Sequence, residues 1–238
     1  AFGRTIWMVG SIRTCTKHNV SLAVASKNDG PSLLQDFCAC TRPFVEDIER
    51  HVSSAVARHP SELELYLENR MAGRAPKNWL SPLPAYAVGR FCEVIGATKL
   101  FGEDFIFSNL TEDEWYEAGQ AGFAIAQSGA EGVQDHLKHM QNTFTRTKHC
   151  WGPRQIYGRL YEWLAHETDD QAYDSVREII SEYSFKSLPM GTEDEIFGNA
   201  RSLLRRFPRT NGTKYPREQG TSRYQLCCRH RQLALSEV

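Results

Sequence analysis

Long hydrophobic runs are missing from this chain of 238 residues. No stretch approaches the roughly 18 consecutive apolar residues of a membrane-spanning helix, so the sequence predicts no membrane span. The opening AFGRTIWMVG has no basic segment followed by a long apolar one, so it does not resemble a secretory signal peptide. Because the first residue is Ala1 rather than Met, we expect a fragment that lacks the natural N-terminus.

Motifs of common enzyme classes are also missing. The sequence contains no P-loop, no dinucleotide-binding fingerprint and no nucleophile elbow around a serine. Its seven cysteines are an odd number in a long chain, which is not typical of a secreted disulfide framework. We therefore expect a cytoplasmic protein with reduced thiols, some of them holding metal, that is not an enzyme and takes no small-molecule substrate.

Acidic residues are scarce at both ends of the chain. Residues 1–28 hold four Lys or Arg and no acid, and residues 201–238 hold nine Lys or Arg and two Glu. The middle, residues 29–200, therefore contains 15 basic and 27 acidic side chains. Basic ends favour contact with nucleic acid, whereas an acidic middle favours protein partners. The same distribution is also consistent with solvated faces and a frayed tail.

The stretch RTCTKH, residues 13–18, is the strongest candidate for a site. Cys15 and His18 have the C-x-x-H spacing of half a zinc site. The apolar runs TIWMV, residues 5–9, and SLAVA, residues 21–25, flank this pair and favour two short strands around a metal knuckle. Two ligands cannot hold a structural zinc ion, because such a site needs four.

Two sources for the missing ligands remain open. One is a C-x-x-C motif that precedes Ala1 in a longer chain. The other is Cys38 and Cys40, although their C-x-C spacing is tighter than the usual two to four intervening residues. A further interpretation is that this chain holds no metal at all.

Helical patterns dominate from residue 30 onward. Apolar residues recur at helical spacing in about six segments, and almost no alternating strand pattern is found there. The predicted faces contain Phe44, Val45, Ile48, Val52 and Val56; Ala87, Phe91, Val94 and Ile95, ended by Gly96; Trp115, Phe123 and Ile125; Ile156, Leu160, Trp163 and Leu164; and Tyr173, Val176, Ile180 and Tyr183.

Local signals mark the ends and contacts of these helices. Capping boxes are predicted at Ser61–Glu64 and in TEDE, residues 111–114. Gly and Pro make residues 70–84 a connection. The small residues Gly119, Ala121 and Gly122 predict that a neighbouring helix approaches closely.

The patterns together predict a mainly α fold. It is a helical, bundle-like domain preceded by the second half of a small zinc-knuckle module with two short strands. We divide the chain into the half module at residues 1–29, the helical domain at 30–200 and a basic tail at 201–238. Turn-forming residues and many arginines make the tail resemble a disordered arm or an aberrant terminus.

The remaining polar clusters have simple structural interpretations. His149 and Cys150 are adjacent, and since sequence neighbours usually point apart, we expect Cys150 to be inert and partly buried. His136 and His139 lie three apart, and we expect them on a solvated helix face. The carboxylates of TEDE and of GTEDE, residues 191–195, lie where helices should start and suit the helix dipole there.

The segment GRTIWMVGSIRTCTKHNVSL resembles the second half of the zinc-binding module in TniQ family proteins. Its Trp7, Cys15, His18 and Leu22 match that module. Thr16 and Asn19 replace the Pro and Gly that are usual there, and neither replacement changes the ligand pair. The segments SELELYLENRMAG, WLSPLPAYAVGRFCEVIGATKLFG, GFAIAQSGAEGVQDHL and IYGRLYEWL are similar to the body of TniQ-like proteins of soil bacteria.

This resemblance covers residues 2–200, and it implies an N-terminally truncated member with an atypical C-terminus. The family's upstream C-x-x-C is absent, and the tail does not look like the helix-turn-helix expected there. The implied role is accessory: TniQ-like proteins help to choose the target in DNA transposition without cutting or joining DNA. The implied cofactor is structural zinc, and the implied partners are DNA, a targeting complex and a regulator ATPase.

Arg4, Arg13 and Lys17 are the candidate phosphate contacts on such a knuckle, because all three are basic and lie close to Cys15 and His18. Two other functions are weighed against this one. The first is a helical protein-interaction module without a role on DNA, with its partner on the acidic helices. The second is a cysteine-dependent enzyme that uses Cys150 and a histidine.

Overall fold

A computed structural model describes residues 5–23, 42, 45–75, 77–144 and 152–188. These residues are mainly helical, as predicted, and one antiparallel pair of strands is the only sheet among them. They form two compact units. Unit 1 contains the described residues up to Ala75, and unit 2 contains those from Lys77 to Leu188. None of the described helices is long and apolar enough to cross a membrane.

Among its described residues, unit 1 contains a β-hairpin and two α-helices. Its elements are a 3₁₀ turn at Thr5–Met8, strand β1 at Thr14–Cys15, strand β2 at Val20–Ser21, helix α1 at Ile48–Ser53 and helix α2 at Glu62–Met71. Its buried apolar side chains include Trp7, Ile12, Leu22, Leu63 and Leu67. The strand predicted at residues 5–9 is wrong, because this run forms the 3₁₀ turn, and the strand predicted at residues 21–25 overlaps β2 only at Ser21. The two observed strands lie directly beside the ligand pair, and each contains two residues.

The apolar face predicted around α1 is wrong as a core face. Val45, Ile48, Val52 and Val56 are all exposed, and α1 contains no buried residue. Phe44, the fifth residue of this face, lies outside the described residues. The period of four is present, but the helix is only six residues long. Periodicity indicates which residues share a side of a helix, whereas burial depends on a partner that lies elsewhere in the chain.

Unit 2 contains five further α-helices among its described residues. They are α3 at Ala85–Phe101, α4 at Glu112–Ala126, α5 at Gly129–Thr143, α6 at Pro153–Glu162 and α7 at Asp174–Ser187. Short turns at Phe107–Asn109, Trp163–Glu167 and Gln171–Tyr173 lie between them. Since α2 ends at Met71 and α3 begins at Ala85, the predicted connection at residues 70–84 is confirmed.

α3 and α4 pack with their backbones in close contact. A Cβ atom built on Gly96 would lie 1.8 Å from the carbonyl oxygen of Ala118, and one built on Gly122 would lie 1.8 Å from that of Cys92. The predicted close approach at Gly122 is confirmed. The prediction that Gly96 ends its helix is wrong, because α3 continues to Phe101. Gly96 is there because no side chain fits between the two helices.

α6 is interrupted at Gly158 by the chain that follows α3. Gly158 has φ 45° and ψ −122°, which are not helical values. The backbone N–H of Arg159 donates to the carbonyl oxygen of Glu103 at 2.8 Å. A Cβ atom on Gly158 would lie 2.2 Å from the same oxygen. Glycine therefore allows both the positive φ and the close approach of Glu103.

Two arginines and two aromatic rings join the turn before α4 to its neighbours. The guanidinium carbons of Arg90 and Arg159 lie 4.6 and 4.7 Å from the ring centre of Phe107. Trp115 of α4 stacks on Phe107 with centres 5.9 Å apart. Cation–π contacts of this kind contribute about 0.5–2 kcal/mol each, depending on how far they are desolvated. They fix the turn against α3 and α6.

Arg177 of α7 organises the chain between α6 and α7. Its guanidinium donates to the carbonyl oxygens of Leu164 at 2.9 Å, Asp170 at 3.0 Å and Thr168 at 2.6 Å. It also donates to the carboxylate of Asp174 at 2.7 Å. Arg177 is buried, so its charge needs partners within the protein. The same bonds also satisfy three backbone carbonyl groups of the irregular segment between α6 and α7.

Candidate metal-binding hairpin

The predicted ligand pair lies on a tight β-hairpin. β1 and β2 pair antiparallel, with Cys15 opposite Val20. The turn between them closes when the carbonyl oxygen of Cys15 accepts from the backbone N–H of His18 at 3.2 Å and of Asn19 at 2.8 Å. Asn19 has φ 53°, a left-handed conformation that Asn tolerates better than most residues. This turn brings His18 back over Cys15.

The side chains of Cys15 and His18 are in contact. The distance from Cys15 Sγ to His18 Nδ1 is 3.3 Å. In a tetrahedral zinc site, bonds of about 2.3 Å to sulfur and about 2.0 Å to nitrogen place these two ligand atoms roughly 3.5 Å apart. The pair therefore has the donor types and nearly the separation that zinc requires, so these residues fit two of the four ligands of a structural zinc.

The other two ligands are not found among the described residues. No group of three or more His, Cys, Asp or Glu side chains in that part of the chain is placed to hold a metal ion. Cys38 and Cys40 lie outside the described residues. Whether they or an upstream pair complete the site stays a prediction in both cases.

A buried carboxylate attaches the hairpin to α2. Glu64 Oε1 accepts from the backbone N–H of Arg13 at 2.6 Å, and its Oε2 accepts from the backbone N–H of Ser61 at 2.8 Å. The Ser61 hydroxyl accepts in turn from the backbone N–H of Glu64 at 3.2 Å. The predicted capping box is therefore present. Glu64 also holds the strand that leads to Cys15. This contact joins residues 51 positions apart, so no local sequence pattern could have predicted it.

A short third segment pairs with the outer side of the hairpin. The N–H of Ser21 donates to the carbonyl oxygen of Val56, and the N–H of Arg58 donates to that of Asn19, each at 2.8 Å. Val20 and Ala57 form the bridge between these two bonds. β2 is therefore hydrogen-bonded on both sides, to β1 on one side and to residues 56–58 on the other. Sequence patterns gave no indication of this pairing.

The three candidate phosphate contacts are in different environments. Lys17 is exposed in the turn between the ligands. Arg13 is only 6% exposed, and its backbone N–H is bound to Glu64. Arg4 lies outside the described residues. Of the described candidates, only Lys17 is therefore positioned at the surface, where a phosphate can reach it.

The structure separates the two histidines of α5. His139 is exposed, in agreement with the prediction of a solvated face. The same prediction is wrong for His136, which is 7% exposed and lies within hydrogen-bond distance of Thr98. The sequence could have indicated this, since His136 precedes the buried Leu137 and lies three residues after the buried Val133.

The remaining candidates contribute no site among the described residues. His149, Cys150 and the acidic cluster at residues 191–195 lie outside them. The carboxylates of residues 112–114 lie in the first turn of α4, and Thr111 with Glu114 forms the predicted capping box. Cys92 is fully buried in α3, and this burial raises the pKa of its thiol far above the usual value. It is therefore an unreactive thiol.

Comparisons with protein-family models, with curated proteins and with solved structures give no match to this chain. The resemblance to TniQ proteins therefore depends on the sequence segments alone.

Proposed function

We propose that the chain is a TniQ-like, non-catalytic accessory factor of DNA transposition. In this role it binds duplex DNA together with a targeting complex or a regulator ATPase, and it does no chemistry itself. The observation that carries the proposal is the contact between Cys15 Sγ and His18 Nδ1 at 3.3 Å on the hairpin turn. It supports a zinc-knuckle half because the pair has suitable atoms at a suitable distance.

Zinc in this site would be structural. Cys15 and His18 would hold it from one side, and it would fix the hairpin turn that carries Lys17. The buried Glu64 already holds the strand before Cys15 in place, so the described residues form a supported platform for the metal. The remaining two ligands are assigned to an upstream C-x-x-C or to Cys38 and Cys40.

Lys17 is basic and exposed on the hairpin turn, which supports contact with DNA phosphates. A partner protein is supported by the charge of unit 2. Residues 77–144 and 152–188 contain sixteen Asp or Glu and eight Lys or Arg. A surface with this balance repels a phosphate backbone and favours a basic protein surface. The two proposed contacts therefore belong to different units of the chain.

A salt titration of DNA binding tests the proposal. The full chain is titrated against a fluorescently labelled duplex by anisotropy at several salt concentrations. We expect the logarithm of the association constant to fall linearly with the logarithm of the salt concentration. Lys17→Ala should make this slope shallower by about 0.9, because one phosphate contact is lost. Lys99→Ala is the matched control, since Lys99 is exposed on α3 in the acidic unit.

Two outcomes would contradict the proposal. An association constant that does not change with salt would exclude phosphate contacts. An equal effect of both lysine variants would show that the hairpin turn is not the DNA contact. Retention of a transposition ATPase in a pull-down, combined with no binding to duplex DNA, would instead favour the helical protein-interaction module.

A further inference from the structure

Residues 56–58 form the outer strand of the small sheet in unit 1. They pair with the hairpin through the carbonyl oxygen of Val56 and the backbone N–H of Arg58, each bond 2.8 Å long. Among the described residues, nothing pairs with the other side of this segment. We call residues 56–58 the open edge.

Ala57, the middle residue of the open edge, directs both of its backbone hydrogen-bonding groups away from the hairpin. The two bonds to the hairpin come from its neighbours, so Ala57 and Val20 are a non-hydrogen-bonded pair of an antiparallel ladder. In such a pair, the N–H and C=O of each residue point away from the opposite strand. Ala57 is exposed, and neither group is hydrogen-bonded to another described residue.

A donor and an acceptor that point outward from one residue select an extended peptide as the ligand. In an added strand, one residue can accept from the N–H of Ala57 and donate to its carbonyl oxygen. A phosphate oxygen only accepts, so DNA can satisfy the N–H but not the carbonyl group. Open strand edges are templates for the addition of a strand from another chain.

The side chains around the open edge determine what such a strand carries. Val56 and Arg58 lie on the same face, because side chains alternate along a strand. Val56 is 60% exposed. Residues 13–22 and 50–60, which contain the hairpin and the open edge, hold four Lys or Arg and no Asp or Glu. The open edge therefore suits an apolar side chain opposite Val56 and an acidic one opposite Arg58.

We propose that the open edge binds an extended, acidic segment of a partner protein, which adds to it as an antiparallel strand. Antiparallel addition continues the arrangement of the two existing pairings. In this direction, the partner residue opposite Arg58 comes two positions before the one opposite Val56. The segment therefore reads Asp or Glu, any residue, and then Val, Ile or Leu.

This contact goes beyond the proposed function, since it requires neither the metal nor DNA. It also differs from the partner surface proposed on unit 2, because it lies in unit 1 and attracts acidic rather than basic groups. With one residue supplying both backbone bonds, we expect weak and reversible binding.

NMR of the full, isotope-labelled chain with a synthetic peptide tests the proposal. The probe is Thr-Ser-Glu-Thr-Val-Ser-Thr, blocked at both ends. We expect the resonance of the Ala57 amide to shift and its hydrogen exchange to slow as the peptide is added. Two altered peptides should bind about fivefold more weakly or worse. One has Lys in place of Glu, and the other has a methyl group on the amide nitrogen of the central Thr, which removes the donor to the Ala57 carbonyl.

Ala57→Pro tests the other backbone bond. It removes the outward N–H and no hydrogen bond within the described residues, and proline is tolerated on a strand edge whose N–H faces solvent. It should weaken binding of the original peptide by about fivefold or more. Ala57→Ser is the matched control, because it keeps the N–H and should bind like the wild type. Both variants should keep the salt dependence of DNA binding, which separates this test from that of the proposed function.

Three results would overturn the proposal. The first is the absence of any change at Ala57 up to the solubility limit of the peptide. The second is equal affinity for the methylated and unmethylated peptides. The third is a DNA duplex that slows exchange of the Ala57 amide as the peptide does, which would assign the open edge to phosphates. If circular dichroism shows that Ala57→Pro does not fold, the methylated peptide with the wild type decides.

Discussion

At the scale of single residues, two buried polar side chains determine much of the local structure. Glu64 accepts from two backbone N–H groups, and Arg177 donates to three carbonyl oxygens. Each partner is a group that would cost about 1–3 kcal/mol if it were buried without a hydrogen bond. These side chains matter because they satisfy irregular backbone, which hydrophobic packing cannot do.

Glu64→Gln should destabilise unit 1 by about 1–3 kcal/mol, because a glutamine side chain has one acceptor oxygen for two buried donors. Urea denaturation followed by the fluorescence of Trp7, with the other tryptophans replaced by Phe, measures this loss. Glu62→Gln provides the comparison, since Glu62 is exposed two positions earlier in the same helix. Similar unfolding midpoints for both variants would show that Glu64 does not hold the hairpin.

At the scale of secondary-structure elements, the sequence predicted what is local and failed where the decisive contact is distant. Both capping boxes are found, because a cap is a local signal. Two short strands do lie around the C-x-x-H pair, but the run at residues 5–9 that was predicted as one of them is a 3₁₀ turn, and the strands are at Thr14–Cys15 and Val20–Ser21. The prediction that α3 ends at Gly96 is wrong. In a sequence, a glycine that ends a helix cannot be told from a glycine that lets a second helix pack closely against the first. Their difference depends here on Ala118, 22 residues later in the chain.

The close contact between α3 and α4 predicts whether an alanine at position 96 stabilises or destabilises the protein. Gly96→Ala would gain about 1 kcal/mol from helix propensity if nothing opposed the new methyl group. The contact with the Ala118 carbonyl should reverse this gain and give a net destabilisation of about 1–3 kcal/mol. Thermal unfolding by circular dichroism measures the change.

The control for this prediction is Ala124→Leu, which adds a larger side chain on the exposed side of α4. It should leave the unfolding temperature nearly unchanged. A Gly96→Ala variant as stable as the wild type would contradict the close backbone contact between Gly96 and Ala118.

At the scale of the whole molecule, the chain combines a small unit that carries the candidate ligands with a larger, acidic helical unit. Among its described residues, unit 1 has strands of two residues each and an α1 helix with no buried residue, so bound metal would add substantially to its stability. Unit 2 has its own core of buried apolar side chains, which accounts for its stability by hydrophobic packing. We therefore expect metal binding to raise the unfolding temperature of unit 1 alone.

We propose that Cys15 and His18 are metal ligands. Titration of the full, reduced chain with Co²⁺, followed by optical absorption, tests it most directly, because a thiolate bound to Co²⁺ gives a charge-transfer band. We predict such a band in the wild type and its loss or marked weakening in Cys15→Ser and His18→Gln. His59→Gln, which removes an exposed histidine of the same unit, should keep the band. Cys38→Ser with Cys40→Ser tells whether these two residues complete the site. A band that is unchanged in Cys15→Ser or His18→Gln would contradict the proposal. No band in the wild type would exclude Cys38 and Cys40 as the missing ligands.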